Sequence, residues 1–294
     1  MSINFCHIAP VKFLNLVEDY PVHLLLAHLI EENEEYRNFY INLKRKNPSV
    51  FYHLDNSAFE MFKRGLPMYE SGRLLEMAKL VDADSIVMSD YPKEHWQKTV
   101  QAAEELIPLF KSNGFKTFFC PQSELGDINS LIHSFDWAIN NDDIDFIGVS
   151  ILNCPIGVGV NETTFESGSR NESYRLQRFL SRWKIFELLR ERGLLKGNIY
   201  KRFHCLGMMD GPNEIDLLRA YHPYIFSWDS SSALWHAIND IPYDKSPTGL
   251  MNGKCEVEVD FDCDAEYSVS LASKMAINVR TIDSMCGGNN VQAQ

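Results

Sequence analysis

Short apolar runs alternate with longer stretches of helical periodicity along most of this chain. That alternation predicts βα units wound around a parallel sheet. The strand-like runs fall at residues 23–28, 50–56, 84–90, 116–122, 145–151, 200–207 and 224–229. Helical patterns fill the intervals near 30–44, 71–81, 94–112, 124–140, 174–192 and 213–221. The segment 174–192 is the clearest: Leu176, Phe179, Leu180, Trp183 and Phe186 recur at three- and four-residue steps. This spacing predicts one buried face, with Arg175, Arg178 and Arg182 repeating on a neighbouring, exposed face.

These runs fit an α/β fold, a TIM-type (β/α)8 barrel in a single domain over 1–294, better than a dinucleotide-binding sheet. No G-x-G-x-x-G follows the first run. The eighth strand is expected within 255–261, followed by a last helix near 266–280. The polar stretch 153–173 holds Gly157, Gly159 and Gly168 and follows a strand, so it reads as an active-site loop or lid.

Composition is ordinary for a globular chain of 294 residues, with 45% hydrophobic and 23% charged residues. The apolar runs are too short for a membrane span, and no signal peptide is evident, so the expected location is cytoplasmic (the host cytoplasm for a viral protein). The seven cysteines contain no C-x-x-C pair and read as reduced thiols, and no metal site is indicated. The net charge of −12 argues against general nucleic-acid affinity, but its distribution is uneven. From Arg170 to Arg202 there are ten basic and three acidic residues. Such an island can hold a phosphate backbone or can be a solvated helix face.

In a barrel the C-terminal ends of the strands build the active site. The runs here end in Asp55-Asn56, Ser89-Asp90, Pro121-Gln122, Val149-Ser150, Leu206-Gly207 and Trp228-Asp229. Three carboxylates thus close three apolar strands. One such aspartate is most simply a helix cap. Three at matching positions beside Gln122 predict a polar, anionic pocket suited to N–H donors or a developing cation.

The order of these motifs resembles the queuine-type tRNA-guanine transglycosylases and their DNA-acting relatives, the DpdA-like proteins. Asp55-Asn56-Ser57-Ala58-Phe59 is similar to the family's D-S-G-G-F segment, and Asp90 with Pro92 to its base-recognising aspartate. Pro121-Gln122 is similar to its glutamine motif, and Gly148 to Ile151 to its Gly-Gly-Leu turn. Arg202 to Gly207 with Pro212 to Leu218 resembles the R-Y-L-M-G…P…D-L-L stretch. Phe226 to Asp229 resembles the strand that carries the nucleophile. The chain departs from the family at Ala58, at Ser230-Ser231-Ser232 where Pro-Thr-Arg follows the nucleophile, and in lacking the C-terminal zinc cluster. Those losses favour DNA over tRNA, as in compact members from bacterial viruses.

The resemblance implies a pentosyltransferase that exchanges a guanine in DNA for a 7-deazaguanine base without a cofactor. Asp229 would be the nucleophile and Asp55 the general acid/base. Asp90, Gln122 and Asn56, with backbone groups near Ser150 and Gly207, would bind the base. Arg175, Arg178 and Arg182 would bind nucleic acid, and Tyr91, Phe59 or Trp228 would stack on the flipped ring. A tRNA-acting transglycosylase, a hydrolytic N-glycosidase, a metal-dependent barrel hydrolase (without an H-x-H on the first strand or an H-E-x-x-H to support it) and a non-catalytic nucleic-acid-binding barrel remain the alternatives, and a homodimer is left open.

Overall fold

The computed structural model describes residues 2–160, 172–196, 199–200, 202–209, 211–243, 259–263 and 265–287. Eight strands form one sheet: β1 (Asn4–His7), β2 (Val22–Leu26), β3 (Phe51–Asp55), β4 (Ser85–Val87), β5 (Lys116–Phe119), β6 (Phe146–Ser150), β7 (Phe203–Leu206) and β8 (Ile225–Ser230). Their order in space is β1-β8-β7-β6-β5-β4-β3-β2, with parallel pairing throughout. The last seam lies between β1 and β2, which pack side by side. The fold is a nearly closed, single-domain (β/α)8 barrel of TIM type.

Strands buried on both faces should read as continuous apolar runs. β2 and β6 are buried at every position, which is why both were legible in the sequence. All seven expected strands are present, most of them trimmed at their ends, with β2 beginning one residue earlier and β8 ending one residue later than expected. The eighth strand is a correction: it is Asn4–His7 at the N-terminus, not a segment within 255–261. Four residues carry too little pattern to stand out. What makes them a strand is pairing with β8, Cys6 lying opposite Asp229. Residues 255–258 lie outside the described residues, and Phe261 sits in a turn that accepts the Val11 N–H at 3.0 Å.

The helices are α1 (Ala27–Glu32), α2 (Glu34–Lys46), α3 (Ala58–Arg64), α4 (Ser71–Val81), α5 (Trp96–Ser112), α6 (Ile128–Ile139), α7 (Asn153–Gly157), α8 (Glu172–Glu191), α9 (Asn213–Leu217), α10 (Ser232–Ile238) and α11 (Val269–Met285). The helix expected over 30–44 is divided by Asn33, whose side chain caps α2 by accepting the Tyr36 N–H at 2.9 Å. The loop expected over 153–173 opens with α7, and 161–171 lie outside the described residues.

The faces of α8 differ from the periodicity reading. Leu176 and Trp183 are exposed, and the inward face is Phe179, Arg182, Ile185, Phe186 and Leu189. Arg182 is 0% exposed. Its guanidinium donates to both carboxylate oxygens of Glu214 (3.2 Å each), to Val149 O (2.9 Å), to Gly207 O (2.9 Å) and to Leu206 O. The expected place of Arg182 on an exposed face is therefore corrected. It ties α8 to the C-terminal ends of β6 and β7 and to α9, one nitrogen meeting Glu214 while the others hold strand-end carbonyls, a task that suits the several donors of a planar guanidinium. Arg202 is also turned inward, donating to the carbonyls of Ala138, Ile139, Asn141 and Ile144 around the end of α6.

Inside the barrel, Val87, Phe118, Cys120 and Phe146 pack with Phe51, Leu206 and Phe226. Gly148 faces this interior: a Cβ there would stand 2.6 Å from Cys120 Sγ and 3.0 Å from Phe118 and Leu206.

Candidate functional site

The strand ends converge on a cavity of about 200 Å³ at the C-terminal mouth of the barrel. Its lining includes Asp55, Asn56, Asp90, Ser150, Gly207 and Asp229, together with Phe59, Glu60 and Cys120. That volume is below the roughly 300–1,000 Å³ typical of drug-sized ligands, and suits one ring-sized group.

Asp229, near the end of β8, is buried. Its Oδ1 accepts two hydrogen bonds, from His204 Nε2 at 2.9 Å and from the Gly207 N–H at 3.1 Å. Among the described residues nothing donates to Oδ2. The carboxylate is thus held by one oxygen and presents the other to the cavity.

Asp55, at the end of β3, is half-buried and accepts the Ser57 N–H at 3.0 Å. Burial, with the neighbouring carboxylates Glu60, Asp229 and Asp90, pushes its pKa well above the usual range for an aspartate. The turn that follows carries Ser57 at φ 55°, the left-handed region that favours glycine. The motif this segment resembles has a glycine at that position. The Ser57 hydroxyl is fixed by the His28 N–H (3.2 Å) and His28 Nδ1 (3.0 Å).

Asp90, Asn56 and Gln122 meet one another. Asn56 Nδ2 donates to Asp90 Oδ1 at 2.8 Å, and Gln122 Nε2 donates to Asp90 Oδ2. Asn153 lies against the network: with its amide turned to match its neighbours, Nδ2 donates to Gln122 Oε1 (3.2 Å) and Oδ1 accepts the Ser123 N–H (3.0 Å). Burial raises the Asp90 pKa to about 6, against the opposing effect of the two amide donors. Gly207 adopts φ 67°, its N–H committed to Asp229 and its carbonyl to Arg182 and Trp228 Nε1 (2.8 Å). Ser150 Oγ accepts the Leu152 N–H at 3.0 Å.

Of the three aromatic candidates, Trp228 is fully buried with the Arg182 guanidinium 5.2 Å from its ring centroid, and Tyr91 lies under Lys98 at 4.3 Å. Phe59 lines the cavity and is 44% exposed. Of the expected nucleic-acid contacts, Arg182 is internal, Arg178 is half-buried, and the Arg175 side chain lies outside the described residues. Lys184, Arg190 and Arg192 remain at the surface, Arg190 paired with Glu187 at 2.5 Å.

Sequence reasoning missed Glu60, Asn153 and, above all, His204. The signal for His204 was period-two alternation, since a residue two positions before the strand end faces the same interior. Among the described residues no group of His, Cys, Asp and Glu is arranged to hold a metal ion. Among the described residues no disulfide forms: Cys6, Cys120, Cys154, Cys205 and Cys286 are buried and Cys263 is half-buried. No described helix is long and apolar enough to cross a membrane.

Fold and site together define a (β/α)8 barrel with a carboxylate-lined mouth. No family model and no curated protein matches the chain. Solved structures are similar to it in fold. A protein of Aquifex aeolicus VF5 matches with a TM-score of 0.48 and 8% identity, over 98% of this chain and 92% of that one. The tryptophan synthase alpha chain of Legionella pneumophila subsp. pneumophila gives 0.47 and 8%, over 100% and 94%. A mandelate racemase/muconate lactonizing enzyme from Roseiflexus sp. gives 0.42 and 7%, over 79% and 55%.

Proposed function

We propose that this chain is an enzyme, a base-exchanging transglycosylase that replaces a guanine in DNA with a 7-deazaguanine. One observation carries the reading: two carboxylates share one small cavity in opposite circumstances. Asp229 is pinned by Oδ1 with Oδ2 unengaged among the described residues, and Asp55 is held toward its protonated form by burial and by its acidic neighbours. Paired carboxylates driven apart in this way divide nucleophile from acid. Asp229 Oδ2 attacks the sugar carbon as the C–N bond breaks. Asp55 gives its proton to the departing guanine, then takes one from the entering base, whose nitrogen displaces Asp229 and regenerates its carboxylate.

The Asp90–Asn56–Gln122–Asn153 network supports recognition of a base edge, and Phe59 offers a face for a flipped ring. The polymer choice rests on the sequence resemblance and on the surface cations Lys184, Arg190 and Arg192. Incubating the protein with labelled 7-deazaguanine and either duplex DNA or tRNA tests the reading. Label entering DNA supports it, and label entering only tRNA moves the acceptor. Release of guanine without incorporation makes the protein a hydrolase. No turnover on any acceptor leaves a binding barrel.

A further inference from the structure

His204 belongs to a longer chain of contacts than its bond to Asp229. Its other ring nitrogen, Nδ1, lies 2.6 Å from Ser227 Oγ. Ser227 Oγ lies 3.3 Å from His53 Nε2, and His53 Nδ1 lies 2.5 Å from Ser85 Oγ. All four residues are fully buried, and the imidazoles, with centroids 5.2 Å apart, stand among Phe118, Phe146 and Phe226. A polar file of this kind inside an aromatic barrel core is costly unless every donor and acceptor is matched.

Matching them yields one direction. The Asp229 carboxylate only accepts, so His204 Nε2 must carry a proton. A neutral His204 then has a bare Nδ1, which accepts the Ser227 hydroxyl proton. The Ser227 oxygen is left to accept, so His53 Nε2 carries the His53 proton. His53 Nδ1 in turn accepts from Ser85. Burial, with His204 and Lys116 nearby, pushes the His53 pKa well below its usual value, in keeping with a neutral ring. The alternative, an imidazolium at His204, would reverse every bond below it and place a full charge in the barrel core.

We propose that Ser85, His53, Ser227 and His204 form a one-way hydrogen-bond chain through the barrel interior. It ends on Asp229 Oδ1 and turns Oδ2 toward the cavity. His204 is the positioning residue, and with the Gly207 N–H it supplies two neutral donors to one oxygen of the carboxylate. The positions follow the strand period: His53, Ser85 and Ser227 each stand two residues before Asp55, Val87 and Asp229, and His204 two before Leu206. The kinetic part of this inference rests on the reading of Asp229 as the reacting carboxylate, and the tautomer part does not.

Two-bond 1H–15N correlation spectra of the full chain labelled in its histidine rings test it, with His53→Gln and His204→Gln assigning the signals. The expected result is a proton on Nε2 and a bare Nδ1 in both rings at neutral pH. A bare Nε2 at His204, or protons on both of its nitrogens, would overturn the chain. Ser227→Ala should then release the His53 and His204 tautomers from this fixed state. It should lower kcat for base exchange roughly tenfold or more, as loss of groups that orient a reactive ligand does, while leaving KM for the base unchanged. Unchanged tautomers and unchanged kcat would overturn the positioning role. If the wild-type chain exchanges no base on any acceptor, the functional reading fails by itself, and the wild-type spectra still decide the chain.

Discussion

Arg182→Leu should destabilise the barrel by about 3–5 kcal/mol, the range for breaking one side of a buried ion pair. The structure says which loss dominates. Glu214 would be left fully buried without its counter-ion, while the Met209 N–H still donates to it at 2.8 Å. The carbonyls fare better: Gly207 O keeps Trp228 Nε1 at 2.8 Å, and Leu206 O keeps the Ile151 N–H at 3.2 Å. The loss of the counter-ion to a buried carboxylate therefore sets the magnitude. Replacing both partners, Arg182→Leu with Glu214→Leu, should recover most of the loss, because the buried charge goes with its counter-ion. Urea unfolding followed by tryptophan fluorescence and far-UV circular dichroism reads the effect, with coincident transitions required before it is converted to a free energy. An arginine on an exposed phosphate-binding face would change stability by no more than about 0.5 kcal/mol. A midpoint shift that small, or a double variant no more stable than the single one, would refute the reasoning and return Arg182 to the surface.

Two further outcomes follow from the carboxylates. Asp90 binds its proton more tightly folded than unfolded, since its pKa rises from 3.8 to about 6. Its contribution is therefore present at acid pH and is lost as pH climbs through that window, by on the order of 3 kcal/mol. The pH dependence of wild-type stability minus that of Asp90→Asn should show this fall between about pH 4 and 6, and parallel curves would contradict it. Asp55→Asn should slow base exchange by roughly 10²–10⁴-fold, the usual worth of a positioned acid/base. In the wild type, activity should fall on the alkaline side as Asp55 loses its proton, and that limb should vanish in the variant.

The strands and their acidic ends were legible because burial on both faces writes continuous apolar runs, which a polar residue interrupts only at the rim. β1 was not legible: Asn4–His7 is four residues long and is a strand only through its ladder to β8. Arg182 was misread for a related reason. Helical periodicity places polar residues on the outer face, and a buried Arg–Glu pair violates that rule without altering the period. Asp55, Asp90, Gln122 and Asp229 could be found one strand at a time. Their division into a pinned carboxylate, one whose pKa burial raises and a closed amide network depends on contacts between strands far apart in sequence. Gln122 and Asn153, or His204 and Asp229, carry no joint signal along the chain.

The most direct test is a search for the covalent intermediate. DNA substrate mixed with the protein without an entering base, quenched in acid and digested, should yield a sugar-linked peptide that maps to Asp229. The same experiment on Asp229→Asn should yield none. An adduct on Asp55, or base exchange retained at near wild-type rate in Asp229→Asn, would contradict the assignment of Asp229 as the nucleophile.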